Sequence, residues 1–226
     1  MTTMVGLQKW SVAEIAARLE RPFSMMDVAL VGDILVSVYI CHGMIEWHKH
    51  TDIDELFWVC EGTILLESEL GEVRLRVGEL AVVPKGVAHR SASELRGSVL
   101  LLRCGVIPER KNGHRRLYAT DGEGLERVAL QIAAQSVASP FQFQAVARIE
   151  DTALQVAWGE GTWPVPIPAV ESLLLFVLAG TATVRTSESM LHLHPGDFTV
   201  VPEGEVYQLS TTRGTALVRV TREEEK

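Results

Sequence analysis

Adding 118 to a residue number carries the first half of this 226-residue chain onto the second without a gap over the informative region. Pro22-Phe23 becomes Pro140-Phe141, Val28-Ala29 becomes Val146-Ala147, Asp33 becomes Asp151 and Gly43 becomes Gly161. Further along, Gly62-Thr63 becomes Gly180-Thr181, Gly78 becomes Gly196, Val82-Val83-Pro84 becomes Val200-Val201-Pro202, and Gly86 becomes Gly204. The coincidences fall on glycines and prolines, which fix turns, and on apolar positions between them. Whatever one half builds, the other must build too.

Each half reads as short strands. In the first, Asp27 to Val31, Ile34 to His42, Trp47 to His50, Leu56 to Cys60, Thr63 to Leu70, Glu72 to Val77, Leu80 to Val83, Ala88 to Ser91 and Gly97 to Cys104 are apolar or alternating runs. Gly32-Asp33, Gly62, Gly71, Gly78 and Pro84-Lys85-Gly86 punctuate them. Short strands with turn signals every few residues predict an all-β sandwich or barrel. Two helices flank this pattern. Ser11-Val-Ala-Glu14 is a capping box opening a stripe of Val12, Ile15, Ala16 and Leu19, which predicts a helix from Val12 to Glu20, ended by Arg21-Pro22. Leu125, Val128, Ala129 and Ile132 predict a second from Glu123 to Gln135. Between the halves, residues 105–124 turn polar and basic and read as a connector. The organisation expected is therefore a barrel over residues 1–104, that connector, and a second barrel over 125–226.

Chemistry concentrates in the first half. Gly43-Met-Ile-Glu-Trp-His48-Lys-His50-Thr-Asp-Ile-Asp-Glu55 has the form G-x4-H-x-H-x4-E, and His89 follows a Pro-x-Gly turn. In a strand, residues i and i+2 share a face, so His48 and His50 are expected to point the same way. Three imidazoles and a carboxylate near strand ends suit a borderline divalent metal that takes nitrogen and oxygen ligands. The absence of thiolates from the pattern argues against a cysteine-type structural zinc site. Glu46 shares the parity of His48 and His50 and is the candidate base or outer hydrogen-bond partner. Trp47 and Trp58 have the opposite parity and are expected to pack outside the barrel or between barrels. Asp52 and Asp54 are expected to be solvated or to orient an imidazole.

These two blocks resemble the paired motifs of the cupin superfamily, small antiparallel β-barrels that hold a metal in the barrel mouth. The resemblance implies that His48, His50, Glu55 and His89 are the ligands of one divalent transition metal ion per chain: Fe, Mn, Ni, Zn or Cu. One departure is that four residues, rather than the more usual five, separate Gly43 from the first histidine. Together with the repeat, the resemblance implies a bicupin, two tandem double-stranded β-helix (jelly-roll) barrels with short flanking helices. Under the 118-residue shift the four ligands become Pro166, Pro168, Leu173 and Tyr207, so the second barrel is expected to have kept the scaffold and lost the metal. Trp163, Phe176 and Tyr207 there are candidates to line an apolar pocket for an organic ligand.

Composition narrows the partners. A net charge of −8 provides no basic surface for a phosphate backbone, so no nucleic-acid partner is expected. No apolar run reaches the length of a membrane span, and the amino terminus lacks the features of a signal peptide. Cys41, Cys60 and Cys104 lie in apolar runs at unrelated spacings, which fits a reducing, cytoplasmic setting. The expected partner is a small-molecule substrate or ligand, and the chain a monomer or homodimer. Four protein ligands leave an octahedral ion two open positions, which favours an enzyme of oxygenase, isomerase or lyase type over a non-catalytic metal or ligand sensor.

Overall fold

A computed structural model describes residues 6–104, 124–163 and 165–223. In chain order the first half runs β1 (Lys9–Ser11), α1 (Val12–Ala17), β2 (Met25–Val31), β3 (Ile34–Met44) and β4 (Glu55–Glu61). It continues with β5 (Thr63–Ser68), β6 (Gly71–Arg76), β7 (Glu79–Val83) and the long β8 (His89–Cys104). The second half repeats it as β9 (Val128–Ala129), α2 (Leu130–Gln135), β10 (Gln144–Ile149), β11 (Thr152–Thr162) and β12 (Ile167–Pro168). Then come β13 (Leu173–Ala179), β14 (Ala182–Arg185), β15 (Met190–Leu193), β16 (Asp197–Val201) and β17 (Val206–Arg222). The all-β, jelly-roll expectation holds.

The backbone carries the repeat in detail. Phe23 and Phe141 both sit in the left-handed region, at φ 55° and 58°, although neither is glycine. Each has its amide tied to the equivalent carbonyl: Phe23 N donates to Ile40 O at 2.8 Å and Phe141 N to Trp158 O at 2.7 Å. Gly32, at φ 60°, is answered by Glu150 at φ 52°, a conformation glycine tolerates far better than glutamate.

The chain forms two compact units. One holds the described residues of Val12–Ala129 together with Arg148–Glu150; the other holds those up to Ser11, Leu130–Ala147, and those from Asp151 onward. The sequence boundaries therefore do not coincide with the units at every point. β1 lies on β16 in the sheet of the second unit, with Trp10 opposite Phe198. β9 lies on β7 in the sheet of the first, with Val128 opposite Leu80. That pairing also shortens the second helix. Val128 and Ala129 satisfy their backbone groups on the edge of β7, so α2 begins only at Leu130. Leu125, read as part of the helical stripe, packs against the interior of the first barrel instead. The first helix likewise ends early, at Ala17, where tighter turns bond Arg18 N to Ile15 O and Leu19 N to Ala16 O. Apart from Gly124, the connector lies outside the described residues.

In the first unit, β8 ties two layers together. Its start pairs with β5 (Ser91 opposite Leu66), and its later part with β4 and β3 (Leu101 opposite Phe57 and Ser37). Alternation along these strands points Tyr39, Cys41, Phe57, Val59, Leu66 and Leu101 into one buried interior cluster. Two predicted strands, Ala88 to Ser91 and Gly97 to Cys104, are thus one bent strand. In the opposite sense, Trp47 to His50 forms no strand; only His48 makes a bridge. Trp58 is fully buried whereas Trp47 is half exposed, with the Arg90 guanidinium 5.2 Å over its ring. Replacing Trp58 with alanine should cost about 3–5 kcal/mol of stability, read as a lowered urea midpoint with folded-state near-ultraviolet dichroism retained.

Candidate metal centre

Main-chain hydrogen bonds set the frame. His48 N donates to His89 O at 3.1 Å and His89 N to His48 O at 2.8 Å, so the two residues face each other as one antiparallel pair. Their rings lie on the same side, with centroids 4.5 Å apart. The turn before β8 holds the second histidine: Gly86, at φ 83°, donates its amide to His50 O at 2.6 Å. Glu55 opens β4, in register with Val83 of β7 and Arg103 of β8.

Asp54 closes the frame. Rather than being solvated or turned to an imidazole, it is buried and accepts from the amides of Lys85 at 2.8 Å and Glu150 at 3.2 Å. Asp52 is exposed. The nearby cations are committed to carboxylates. Lys85 Nζ lies 2.8 Å from Glu150 Oε1, and Arg90 makes a two-point contact with Glu67 at 2.7 and 3.0 Å.

The four predicted ligands converge. One potential ligand atom from each of His48, His50, Glu55 and His89 lies within 4.8 Å of all the others, and no other such grouping occurs among the described residues. Two of the imidazoles have their free nitrogen fixed. His48 Nδ1 lies 2.9 Å from Glu46 O and His89 Nδ1 3.0 Å from Val87 O, so each donates there and turns Nε2 toward the centre. Glu46 contributes this main-chain oxygen, while its side chain is exposed. Glu55 and His89 are buried, whereas His48 and His50 are partly open to solvent.

The closest contact shows what the site needs. His89 Nε2 stands 2.9 Å from Glu55 Oε2, and His50 Nε2 3.4 Å from the same oxygen. With Nδ1 already a donor, a neutral His89 would bring a lone pair against a carboxylate lone pair, so a positive charge must lie between them, as proton or as metal. Burial works against a charged His89, but the Glu55 hydrogen bond, the Val87 carbonyl and the carboxylate's charge together raise its pKa. Burial would likewise push Glu55 up, yet the hydrogen bond from His89 and the charges of His50, His89 and His48 hold it below the usual carboxylate value. His50 moves down: burial dominates, opposed by Glu55 and reinforced by His48, His89 and Arg103. Donor types, convergence and this demand for a cation all fit a divalent ion.

Behind the ligands, His89 and Ser91 are two apart on β8. The Phe57 ring meets His89 edge-on at 5.7 Å, and the Tyr39 hydroxyl donates to Ser91 Oγ at 3.3 Å. This inner hydroxyl pair was missed in the sequence, where only the spacing of Ser91 from His89 hinted at it. Burial raises the Cys41 thiol to about 11, and Cys41 does not belong to the converging group.

Comparison with known proteins agrees with this geometry. A family model described as "Cupin domain" matches residues 37–102, which include all four converging residues. The uncharacterized protein YdbB of Bacillus subtilis (strain 168) is 32% identical over 83 residues, covering 36% of this chain and 74% of that protein. The chain belongs to the cupin family. Two compact units, each with its own sheet of repeated strand order, make it a bicupin. Among solved structures, a cupin 2 conserved barrel domain protein from Leptotrichia buccalis superposes with a TM-score of 0.72 at 8% identity, over 99% of this cupin and 100% of that chain. A salicylate 1,2-dioxygenase from Pseudaminobacter salicylatoxidans gives 0.73 at 12% identity, over 98% and 87%. At such identities the likeness is one of fold.

Two outcomes follow for the cupin site. Below the raised pKa of His89, metal must displace a proton, so apparent affinity should fall about tenfold per pH unit, with proton release detectable by calorimetry in buffers of different ionisation enthalpy. In the metal-free fold the sign splits. The His89 contribution to stability is complete below its unfolded pKa and is lost as pH rises through the folded value. The Glu55 contribution is complete above its unfolded pKa and is lost as pH falls through the folded value. Separately, Asp54→Ala leaves all four ligands in place but frees the Lys85 turn, and should weaken metal binding by roughly 10–100-fold in a competitive chelator titration.

Proposed function

We propose that this cupin is a metal-dependent oxygenase acting on a small oxygenated organic molecule at its N-terminal barrel. The observation that carries the reading is the convergence of His48, His50, Glu55 and His89 on one point, buried on the Glu55–His89 side and open on the His48–His50 side. A redox-active divalent ion held by these residues would supply Lewis acidity and the capacity to activate dioxygen. The chain's own residues do the rest. Glu46 O and Val87 O fix the tautomers of His48 and His89, while Phe57 and Tyr39 keep the inner wall apolar up to the Ser91 hydroxyl.

Two further features support the assignment. Lys85 and Arg90 are occupied by Glu150 and Glu67, which disfavours a phosphorylated substrate. The salicylate dioxygenase among the structural neighbours provides a precedent for oxygenase chemistry on this scaffold. The exposed Glu46 carboxylate, at the rim beside His48, is the candidate to take up a substrate proton.

Elemental analysis with oxygen-uptake screening of small phenolic, enolic and hydroxy-acid compounds tests the proposal. The wild type should hold about one equivalent of metal and consume oxygen, and His48→Ala/His50→Ala should do neither. Glu46→Gln should keep the metal and lose about 10²–10⁴-fold in turnover. Metal retention with no oxygen consumption across the screen would move the assignment to a binding or sensing role. Failure to bind metal after reconstitution would sink it altogether.

A further inference from the structure

The second barrel replaces the metal centre with a different chemical group. Its counterparts of the ligands follow from hydrogen bonding more faithfully than from the gap-free shift. Tyr207 faces Ile167 as His89 faces His48, and Gly204 N donates to Ala169 O at 2.8 Å as Gly86 N does to His50 O. The loop has thus slipped by one residue, and the true counterparts of the two histidines are Ile167 and Ala169 rather than Pro166 and Pro168. Leu173 keeps the register of Glu55. None of these ligates a metal.

What stands there instead is Arg219. It lies opposite Gln155 and Leu175, as Leu101 of the first barrel lies opposite Ser37 and Phe57. Leu101 is an interior residue, and Leu217, two before Arg219 on the same face, is interior to the second barrel. Arg219 Nε donates to Gln155 Oε1 at 2.8 Å, and Gln155 Nε2 donates onward to Glu223 Oε1 at 2.7 Å. The guanidinium carbon lies 4.2 Å from the Phe143 ring centroid. Phe143 in turn stacks on Trp163 (5.9 Å, 22°), and Trp163 on Phe141 (5.4 Å, 21°). The cation therefore caps a three-ring stack, with the buried Tyr207 hydroxyl within its electrostatic reach. Phe176, expected to line this barrel with Trp163 and Tyr207, stacks on Phe198 at 6.3 Å and lies outside the interior cluster.

Packing alone does not call for an arginine at this position, since the first barrel fills it with leucine. Burial works against the guanidinium's charge. Gln155 takes one of its five N–H donors, the Tyr207 hydroxyl is a second hydrogen-bond partner, and the charge of Glu223 supports the guanidinium without outweighing its burial. The planar fork that remains matches a carboxylate, while the stacked rings offer an apolar wall. Arg219, Phe143 and Trp163 are all partly open to solvent. We propose that the second barrel is a binding site for a small organic carboxylate with a planar apolar body, its anionic end on Arg219 and its body against Phe143 and Trp163.

Calorimetric titration of the His48→Ala/His50→Ala variant with sodium benzoate tests this with the first barrel's site disabled. Saturable binding is expected, weakened at least tenfold by Arg219→Gln and weakened by Trp163→Leu. Acetate, inorganic phosphate and benzyl alcohol should each bind at least tenfold less tightly than benzoate. If Arg219→Gln does not fold, Arg219→Lys keeps the charge and loses the fork, and should weaken binding about tenfold. No saturable binding overturns the proposal, as does binding unchanged in the Arg219 variants. Phosphate binding as tight as benzoate would mark a general anion site and also overturn it. So would benzoate binding that survives Arg219→Gln but disappears with the His48 and His50 substitutions, because it would place the ligand in the first barrel.

Discussion

Two main-chain hydrogen bonds between His48 and His89 hold the candidate metal centre together. They pin an irregular loop, which has no ladder of its own, onto the first residue of β8. The Gly86 amide on His50 O and the Asp54 carboxylate on the amide of Lys85 fasten the same loop to the turn before that strand. The placement of the four side chains thus rests on backbone hydrogen bonds that anchor the loop at both histidines. The side chains can then be arranged for coordination, including the short Glu55–His89 contact that only a proton or a metal makes favourable.

Much of this was legible in the sequence because the decisive residues act through identity. Gly43, Gly62, Gly78 and Gly86 all adopt positive φ, so their recurrence 118 positions later marks the same turns. The four converging residues could be singled out from their spacing together with the resemblance to the cupin motifs, because strand ends bring fixed spacings to one place. The misreadings share a physical cause: they lie where long-range pairing overrides local pattern. Val128 and Ala129 fit a helical stripe yet satisfy an open sheet edge. Trp47 to His50 alternates like a strand but forms a β-bridge at only one residue. Asp54 reads as a loop acid, and its burial depends on the amide of Glu150, 96 residues away. The one-residue slip over Ile167 and Ala169 is invisible to a gap-free shift because Trp163 and Leu173 on either side keep their register.

The two barrels show how far a scaffold and its chemistry can separate. At corresponding positions His89 becomes Tyr207, Glu55 becomes Leu173 and Leu101 becomes Arg219, with strand register unchanged. The first site gathers donors that could share one cation. The second contains a cation and spreads aromatic surface beside it. Both use the same long strand, β8 or β17, to support the site, because that strand borders both layers of its barrel.

The sheet membership of β1 and β9 bears on how this chain can be divided. A break in the connector would leave the N-terminal piece with β1 but without β16 to receive it. The same piece would lack β9, exposing the outer edge of β7, and would lack Glu150, the acceptor for Lys85. Its C-terminal counterpart would carry an uncovered β16 edge. Exposed edges of this kind recruit other strands. The duplicated gene therefore encodes two barrels but not two separable modules, and its halves can be recombined with those of other bicupins only by moving the exchanged strands with them.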